Sequence, residues 1–259
     1  MYESMDEAGF LNNLEKIYSD TQMVGWDFSV LDRSLEVEGL PWDFEVDCLS
    51  KMQQASSVLD VGTGGGERLI SLIKSLSRAA GKPYIAATEG WEPNVKVARA
   101  NLKPFGVECA AYDPDSRQPS TFRDSTFDVI MNRHESLDAV EIARLLAPGG
   151  EFMTQQVDGH DVPELHQWFG ADYEYPEVGL ENFCQQLEQA GLTITCQESW
   201  EGYMRFSSVE ALVTYLALVP WDVPGFNVSD HASTLLELQR APKPIEVTQR
   251  RFRVYAMAK

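Results

Sequence analysis

Basic residues are scarce in this chain of 259 residues: 21 Lys and Arg stand against 40 Asp and Glu, a formal charge of −19. Nucleic-acid binding draws on Lys and Arg to displace counterions from phosphates, so a surface of this balance mostly repels such partners. The local exception is Arg250-Arg251-Phe252-Arg253, which reads either as a basic patch or as the solvated face of a terminal strand. Cysteine is sparse too. Cys48, Cys109, Cys184 and Cys196 form no C-x-x-C pair and no metal-ligand spacing. Three of them sit in apolar-periodic segments, where a free thiol behaves as a small hydrophobe. A reduced, cytoplasmic protein is the expectation. No apolar run is long enough to span a bilayer, and the acidic opening Met-Tyr-Glu-Ser-Met-Asp-Glu lacks the apolar core of a secretory signal.

Several catalytic signatures are missing as well. His134-Glu135 lacks the second histidine of H-E-x-x-H, because Asp138 occupies that place. His160, His166 and His231 share no ligand spacing, so no metal is expected. There is no G-x-S-x-G elbow for a hydrolytic serine. No lysine follows the glycine-rich turn, which excludes a phosphate-cradling P-loop.

What the chain does have is Ser-Val-Leu-Asp-Val-Gly-Thr-Gly-Gly-Gly-Glu at 57–67. Val58, Leu59 and Val61 read as a short buried strand. The glycines after it suit a turn that needs positive φ. Leu69, Ile70, Leu72, Ile73 and Leu76 then fall at helical spacing. Strand, turn and helix together bring bare backbone N–H groups and a helix N-terminus to a ligand. A dinucleotide fingerprint would need a third glycine where Glu67 stands. The pattern present is acidic-x-Gly-x-Gly-x-Gly, with Asp60 as the acid. A carboxylate there suits a ligand bearing an ammonium group and disfavours a pyrophosphate.

This stretch resembles motif I of the class I S-adenosylmethionine-dependent methyltransferases, and the likeness continues along residues 55–200. Residues 83–89 read as a second strand ending in Glu89, 29 positions after Asp60. The third strand, 107–112, ends at Asp113. The fourth, 127–134, is followed by a helix over 139–146, the stop Leu-Ala-Pro-Gly-Gly and a fifth strand at 151–157. The resemblance implies a Rossmann-like α/β fold: a seven-stranded, mostly parallel sheet with helices on both faces. An N-terminal helical segment precedes it and a helical insertion interrupts it before the last strand. It also implies S-adenosyl-L-methionine as cofactor, with Asp60 at the methionyl ammonium, directly or through water. The backbone of Gly62, Thr63, Gly64 and Gly66 would pack on the cofactor, and Glu89 would bind the ribose hydroxyls, with Gly90 beside it. Trp91 would cover the adenine, Asp113 would lie near its amino group, and Asn132 would complete the set.

Taken by region, residues 1–54 read as a cap, 55–200 as the cofactor-binding core, 201–245 as a lid-like insertion and 246–259 as the final strand. Residues 1–20 carry a helical face of Phe10, Leu11, Leu14, Ile17 and Tyr18. Two Trp-Asp-Phe triplets follow, at 26–28 and 42–44; they either shape the substrate site or cap the sheet. A helix over 46–54 leads into the first strand, and Pro93 opens another within the core. The polar segment 114–124 reads as a surface loop. Leu180, Phe183, Cys184, Leu187 and Ala190 mark an amphipathic helix closed by Gly191, before a sixth strand at 192–198. The insertion of about 45 residues, long for a hairpin connection, reads as a substrate-shaping lid or an oligomerisation surface. Val209, Leu212, Val213 and Leu216 give it one helical stripe, and a second helix falls near 229–239.

Ligands of open α/β sheets bind outside the carboxyl ends of the strands, so His134 and Glu135 would face the transferred methyl group. His134 is the candidate general base, since histidine titrates near neutrality; the alternative is a histidine that only orients a loop. Asn132-Arg133-His134-Glu135 stands where the family's Asn-Pro-Pro-Tyr type motif would grip an exocyclic amine, which argues against adenine or glutamine amide as acceptor. The same residues, with Thr154-Gln155-Gln156, resemble a little-characterised bacterial branch of the family. The expected activity is methyl transfer to a small molecule, by a monomer or homodimer. Trp26, His134, Gln156, Tyr203 and Trp221 are the candidate acceptor pocket. RNA or protein methylation and a non-catalytic cofactor-binding module are the alternatives.

Overall fold

The computed structural model describes residues 7–23, 28–77 and 82–259. In chain order, the first half holds α1 (Glu7–Asp20), β1 (Leu35–Val37), α2 (Phe44–Met52), β2 (Ser57–Val61), α3 (Glu67–Ser75), β3 (Tyr84–Glu89), α4 (Glu92–Leu102), β4 (Glu108–Ala111) and β5 (Phe127–Arg133). The second half holds α5 (Ala139–Leu145), β6 (Leu146–Val157), α6 (Pro163–Phe169), α7 (Leu180–Gln189), β7 (Thr193–Phe206), α8 (Val209–Leu218), α9 (Ala232–Arg240) and β8 (Ile245–Met257). The chain divides into two compact units. One comprises Pro41–Asp158, Val178–Trp200 and Arg251–Lys259; the other comprises Met1–Leu40, Gly159–Glu177 and Glu201–Arg250.

The strands form one mixed sheet in the order β1-β7-β8-β6-β5-β2-β3-β4. β6, β5, β2, β3 and β4 pair in parallel, β8 runs antiparallel to β6, and β1 antiparallel to β7. The strand order reverses between β2 and β5, and open sheets of this kind bind ligands at such a switch point.

Within the first unit β2 is covered on both faces, as a parallel strand must be. Val58 packs in a cluster with Phe44, Cys48, Met52 and Leu102, while Leu59 and Val61 face Ile142, Leu187 and Phe252. The helices begin where side chains or glycine satisfy their first N–H groups. Asp43 accepts from Val46 N–H at 3.0 Å to cap α2, and Asp138 accepts from Glu141 N–H at 3.1 Å to cap α5. Gly66 opens α3 at φ 87°, and a Cβ on it would stand 2.9 Å from Leu102 Cγ. Pro93 lies in the first turn of α4 as expected.

The second unit has its own apolar core. Phe10 and Leu14 of α1 join Leu212, Val213 and Leu216 of α8, with Phe206, Phe226 and Val247. Leu11, Ile17 and Tyr18 pack at its margin, so the predicted face of the first helix is the one the unit buries.

Three expectations about the sheet need correction. Among the described residues it has eight strands and is mixed, where seven mostly parallel strands were expected. The eighth, β1, pairs Leu35 with Phe206, and three residues are too few to show a period-2 pattern. Leu-Ala-Pro-Gly-Gly is no stop before the fifth strand but the first part of β6. There Leu146 pairs with Phe127 and Glu151 with Val129, so β6 spends five positions where β5 spends two. Gly150 permits this, since a Cβ there would lie 2.9 Å from the Phe127 carbonyl oxygen. β7 also runs on to Phe206, well past residue 198, and α6 lies in a stretch where no helix was expected.

Candidate functional site

The turn after β2 is built by glycines that the backbone requires. Gly62, Gly64 and Gly66 all have positive φ, at 69°, 61° and 87°. Gly62 is closed to any side chain, because a Cβ on it would meet Glu135 Cγ at 2.5 Å. Besides a bond from Gly64 to Glu89, three bonds hold the turn: Thr63 N–H donates to the Thr88 carbonyl at 2.9 Å, Gly66 N–H to the Thr63 carbonyl at 3.0 Å, and Asn101 Nδ2 to the Gly65 carbonyl at 2.9 Å.

Glu89 ends β3 with its side chain 4% exposed. One carboxylate oxygen accepts Gly64 N–H at 2.7 Å and the other accepts Trp91 N–H at 2.9 Å. The carboxylate therefore bridges the glycine turn and the end of β3, and each oxygen keeps a lone pair for a further donor. Gly90 lets that strand end approach its neighbour: a Cβ there would lie 3.1 Å from both Asp113 Cα and the Tyr112 carbonyl oxygen. Asp113 is exposed and accepts Asp115 N–H at 2.9 Å, and the Trp91 side chain is 61% exposed.

Acids crowd this rim without cations. Among the described residues no Lys or Arg pairs with Asp60, Glu89 or Glu135. Burial raises the Asp60 carboxyl to about 6, with Glu89 adding to the rise and Thr63 opposing it. Glu135 is also pushed up, first by burial and then by Glu89 and Asp115, against the Ser136 N–H and hydroxyl that favour its charge. The Thr63 and Thr88 hydroxyls are buried with no hydrogen bond of good geometry. Uncompensated acids and unpaired buried hydroxyls are costly unless a ligand completes them.

The end of β5 is a polar knot. Asn132 Oδ1 accepts from Gln156 Nε2 at 2.7 Å and Thr154 Oγ1 at 3.1 Å, while its Nδ2 donates to the Ser136 carbonyl at 3.1 Å. Gln156 Nε2 also reaches the Glu135 carbonyl at 2.9 Å. Asn132 and Gln156 thus spend their amides inside the protein and set the 132–136 turn. His134 sits at φ 58°, a left-handed conformation uncommon outside glycine, and its N–H donates to the Gln155 carbonyl at 3.0 Å. Gln155 in turn accepts Trp42 Nε1–H at 2.8 Å. The His134 ring reaches solvent, yet the surrounding protein and then Arg133, Arg251 and Arg68 lower its pKa, which favours the neutral ring.

The structure thus gathers Asp60, Gly62, Thr63, Gly64, Gly66, Glu89, Gly90, Trp91, Asp113, Asn132, His134 and Gln156 at the carboxyl ends of β2 to β6. Two further candidates belong to the other unit. Tyr203 donates its hydroxyl to Glu36 at 2.9 Å beneath the Arg205 guanidinium, and Trp221 is 37% exposed. Trp26 lies outside the described residues. Sequence reasoning missed the Glu135–Gly62 contact, the unpaired Thr88 hydroxyl and the Trp42–Gln155 bond. Only the position of Glu135 just past a strand end pointed towards the first.

No protein-family model matches the chain, and no curated protein matches it. Solved structures do. The YcgJ protein of Bacillus subtilis is similar at a TM-score of 0.57 and 15% identity, over 83% of this chain and 98% of that one. A candidate methyltransferase of Bacillus halodurans gives 0.54 at 17% identity, over 82% and 98%. A SAM-dependent methyltransferase of Aquifex aeolicus gives 0.50 at 17% identity, over 96% and 98%. At these identities the likeness is one of fold. The chain has the α/β fold of proteins described as methyltransferases.

Proposed function

We propose that this protein is an S-adenosyl-L-methionine-dependent methyltransferase acting on a small molecule, of the bacterial branch its 132–135 and 154–156 segments resemble. The observation that carries this reading is the Glu89 carboxylate bridging Gly64 N–H and Trp91 N–H, beside a half-buried Asp60 that no cation among the described residues pairs with. A pyrophosphate would be repelled from such a rim, whereas a ligand with an ammonium group and a ribose diol answers each of its groups.

The residues fit the cofactor one by one. Asp60 takes the ammonium, and Glu89 offers its remaining lone pairs to the ribose hydroxyls. The Thr88 hydroxyl, buried without a partner among the described residues, is available to the ligand or to a bridging water, and the Thr63 hydroxyl lies against Asp60. Asp113 would lie near the adenine amine and Trp91 would lend its exposed face to the ring. Asn132 acts at one remove, through the turn that carries His134 and Glu135. When bound, the cofactor supplies an electrophilic methyl group on a positively charged sulfur. Orientation of the acceptor then supplies much of the acceleration. His134 is the base for an acceptor that must lose a proton; its lowered pKa keeps it unprotonated but makes it a weaker base than the near-neutral titration expected from sequence.

A small acceptor is favoured over RNA by the charge of −19 and by the ties of the terminal arginines. Arg250 pairs with Glu201 at 2.8 Å, and Arg253 with Asp47 at 2.6 Å. The test is calorimetry with S-adenosylhomocysteine against NADH. Binding of the first alone is expected, and no binding at millimolar concentration would sink the proposal. Replacing His134 by Ala should slow turnover and leave cofactor affinity unchanged; equal loss of both would mean that His134 only shapes the turn.

A further inference from the structure

Cations in this acidic chain are mostly outnumbered by their partners. Arg144 faces Glu141 and Asp124, Arg253 faces Asp47 and Glu198, and Arg205 faces Glu36 and Glu246. At the end of β5 the ratio inverts. Arg133 Nη1 donates to Glu45 Oε1 at 2.8 Å, and Arg68 Nη1 bonds that same oxygen. Neither guanidinium has another hydrogen bond among the described residues. Each carries five donors in a planar fork, so most of them are unused.

The Arg133 side chain is only 28% exposed, which leaves its charge short of water as well as of acids. Burial and the Arg68 charge both lower its pKa, and Glu45 only partly opposes them. Arg251 adds a third positive charge near His134. Position ties this patch to the cofactor turn. Arg133 precedes His134, and Glu135 packs on Gly62. Asp60 pairs in register with Met131 and Arg133 stands two positions further along β5, so the two share a face of the sheet. An acidic rim for a cation and a half-desolvated cationic pair stand side by side.

We infer that Arg133 and Arg68 form a subsite for a carboxylate carried by the methyl acceptor, an inference that rests on the methyltransferase reading. Planar guanidinium donors match a carboxylate in a bidentate way, and binding one would restore the missing negative charge. The cofactor also has a carboxylate, and the experiment separates the two sources.

Full-length protein with 13C-labelled histidine, saturated with S-adenosylhomocysteine, is titrated with benzoate and separately with benzamide while the His134 ring resonance is followed. Benzoate should shift that resonance saturably at neutral pH, because an anion offsets the positive field of the arginines at the ring. Benzamide should not. Arg133→Met should abolish the benzoate response and Arg133→Lys should keep part of it. Arg68→Met, at a largely exposed position, should weaken the response without threatening the fold. Equal responses to acid and amide, or a response unchanged in both Met variants, overturns the inference. A loss of more than about tenfold in S-adenosylhomocysteine affinity in those variants also overturns it, since the pair would then serve the cofactor's own carboxylate. Intact S-adenosylhomocysteine binding with no benzoate response would sink this inference alone, whereas failure of wild-type protein to bind S-adenosylhomocysteine would sink the methyltransferase reading beneath it.

Discussion

Glu141 on α5 and Glu89 at the end of β3 are equally buried, each 4% exposed, yet they live in opposite surroundings. Glu141 is fully answered. Arg144 grips both its oxygens, at 2.7 and 2.6 Å, and Ser120 N–H donates at 2.8 Å. Burial pushes its carboxyl up, but Arg144 and Ser120 outweigh that and hold it below the usual range. Glu89 has two backbone N–H groups, no cation among the described residues, and Asp60 and Glu135 for neighbours. The same residue type at the same depth is a clasp in one place and an open valence in the other. The chain supplies a bidentate arginine to one buried glutamate and leaves the other with hydrogen-bonding capacity to spare.

Breaking the clasp should have the largest effect. Arg144→Met leaves Glu141 buried without its partner, and loss of about 3–5 kcal/mol of stability is expected in urea denaturation. Affinity for S-adenosylhomocysteine should not move; if it did, the two regions would not be separable. At the open site the signs reverse. Glu89→Gln should weaken S-adenosylhomocysteine binding by at least about 1.5 kcal/mol, the scale of hydrogen bonds to a charged group. The fold should lose little, and a large drop in melting temperature with unchanged affinity would make Glu89 structural.

Asp60 sharpens the contrast through pH. Its carboxyl titrates at about 6 in the folded chain and near the ordinary value of about 3.9 when unfolded. The folded state therefore holds an extra proton between those values. The contribution of Asp60 to stability is fully present below the lower value and is lost as pH rises through the upper one. Denaturation curves from pH 4 to 7 should show this loss, and Asp60→Asn should remove it. A cationic ligand needs the charged form, so affinity should fall by up to about tenfold per pH unit below 6 in wild type and stay flat in Asp60→Asn. The smallest effect belongs to Trp91→Ala. Stability should stay within about 0.5 kcal/mol, as for an exposed residue, while S-adenosylhomocysteine binds a few-fold more weakly; unchanged affinity would remove Trp91 from the site.

Much of the core was legible along the chain because its signals are local. Val58, Leu59, Val61 and the glycines after them announce a buried strand and a left-handed turn within ten residues of each other. β1 was illegible because three residues carry no period, and its partner strand lies far along the chain. The length of β6 was hidden because Pro148 and two glycines imitate a stop. Asn132 and Gln156 could be placed at a strand end from sequence, but not the fact that each turns its amide inward.

Local chemistry alone therefore determined the order of strand and helix from β2 to α5, the conformation of the glycine turn, and which acids stand near the ends of β2 and β3, since backbone preference and hydrophobic period act over a few residues. Tertiary structure alone decided which charges find partners. Glu135 meets Gly62, Arg68 and Arg133 share Glu45, and Glu89 receives no cation, because Coulomb and desolvation energies depend on neighbours that only the folded chain brings within a few ångströms.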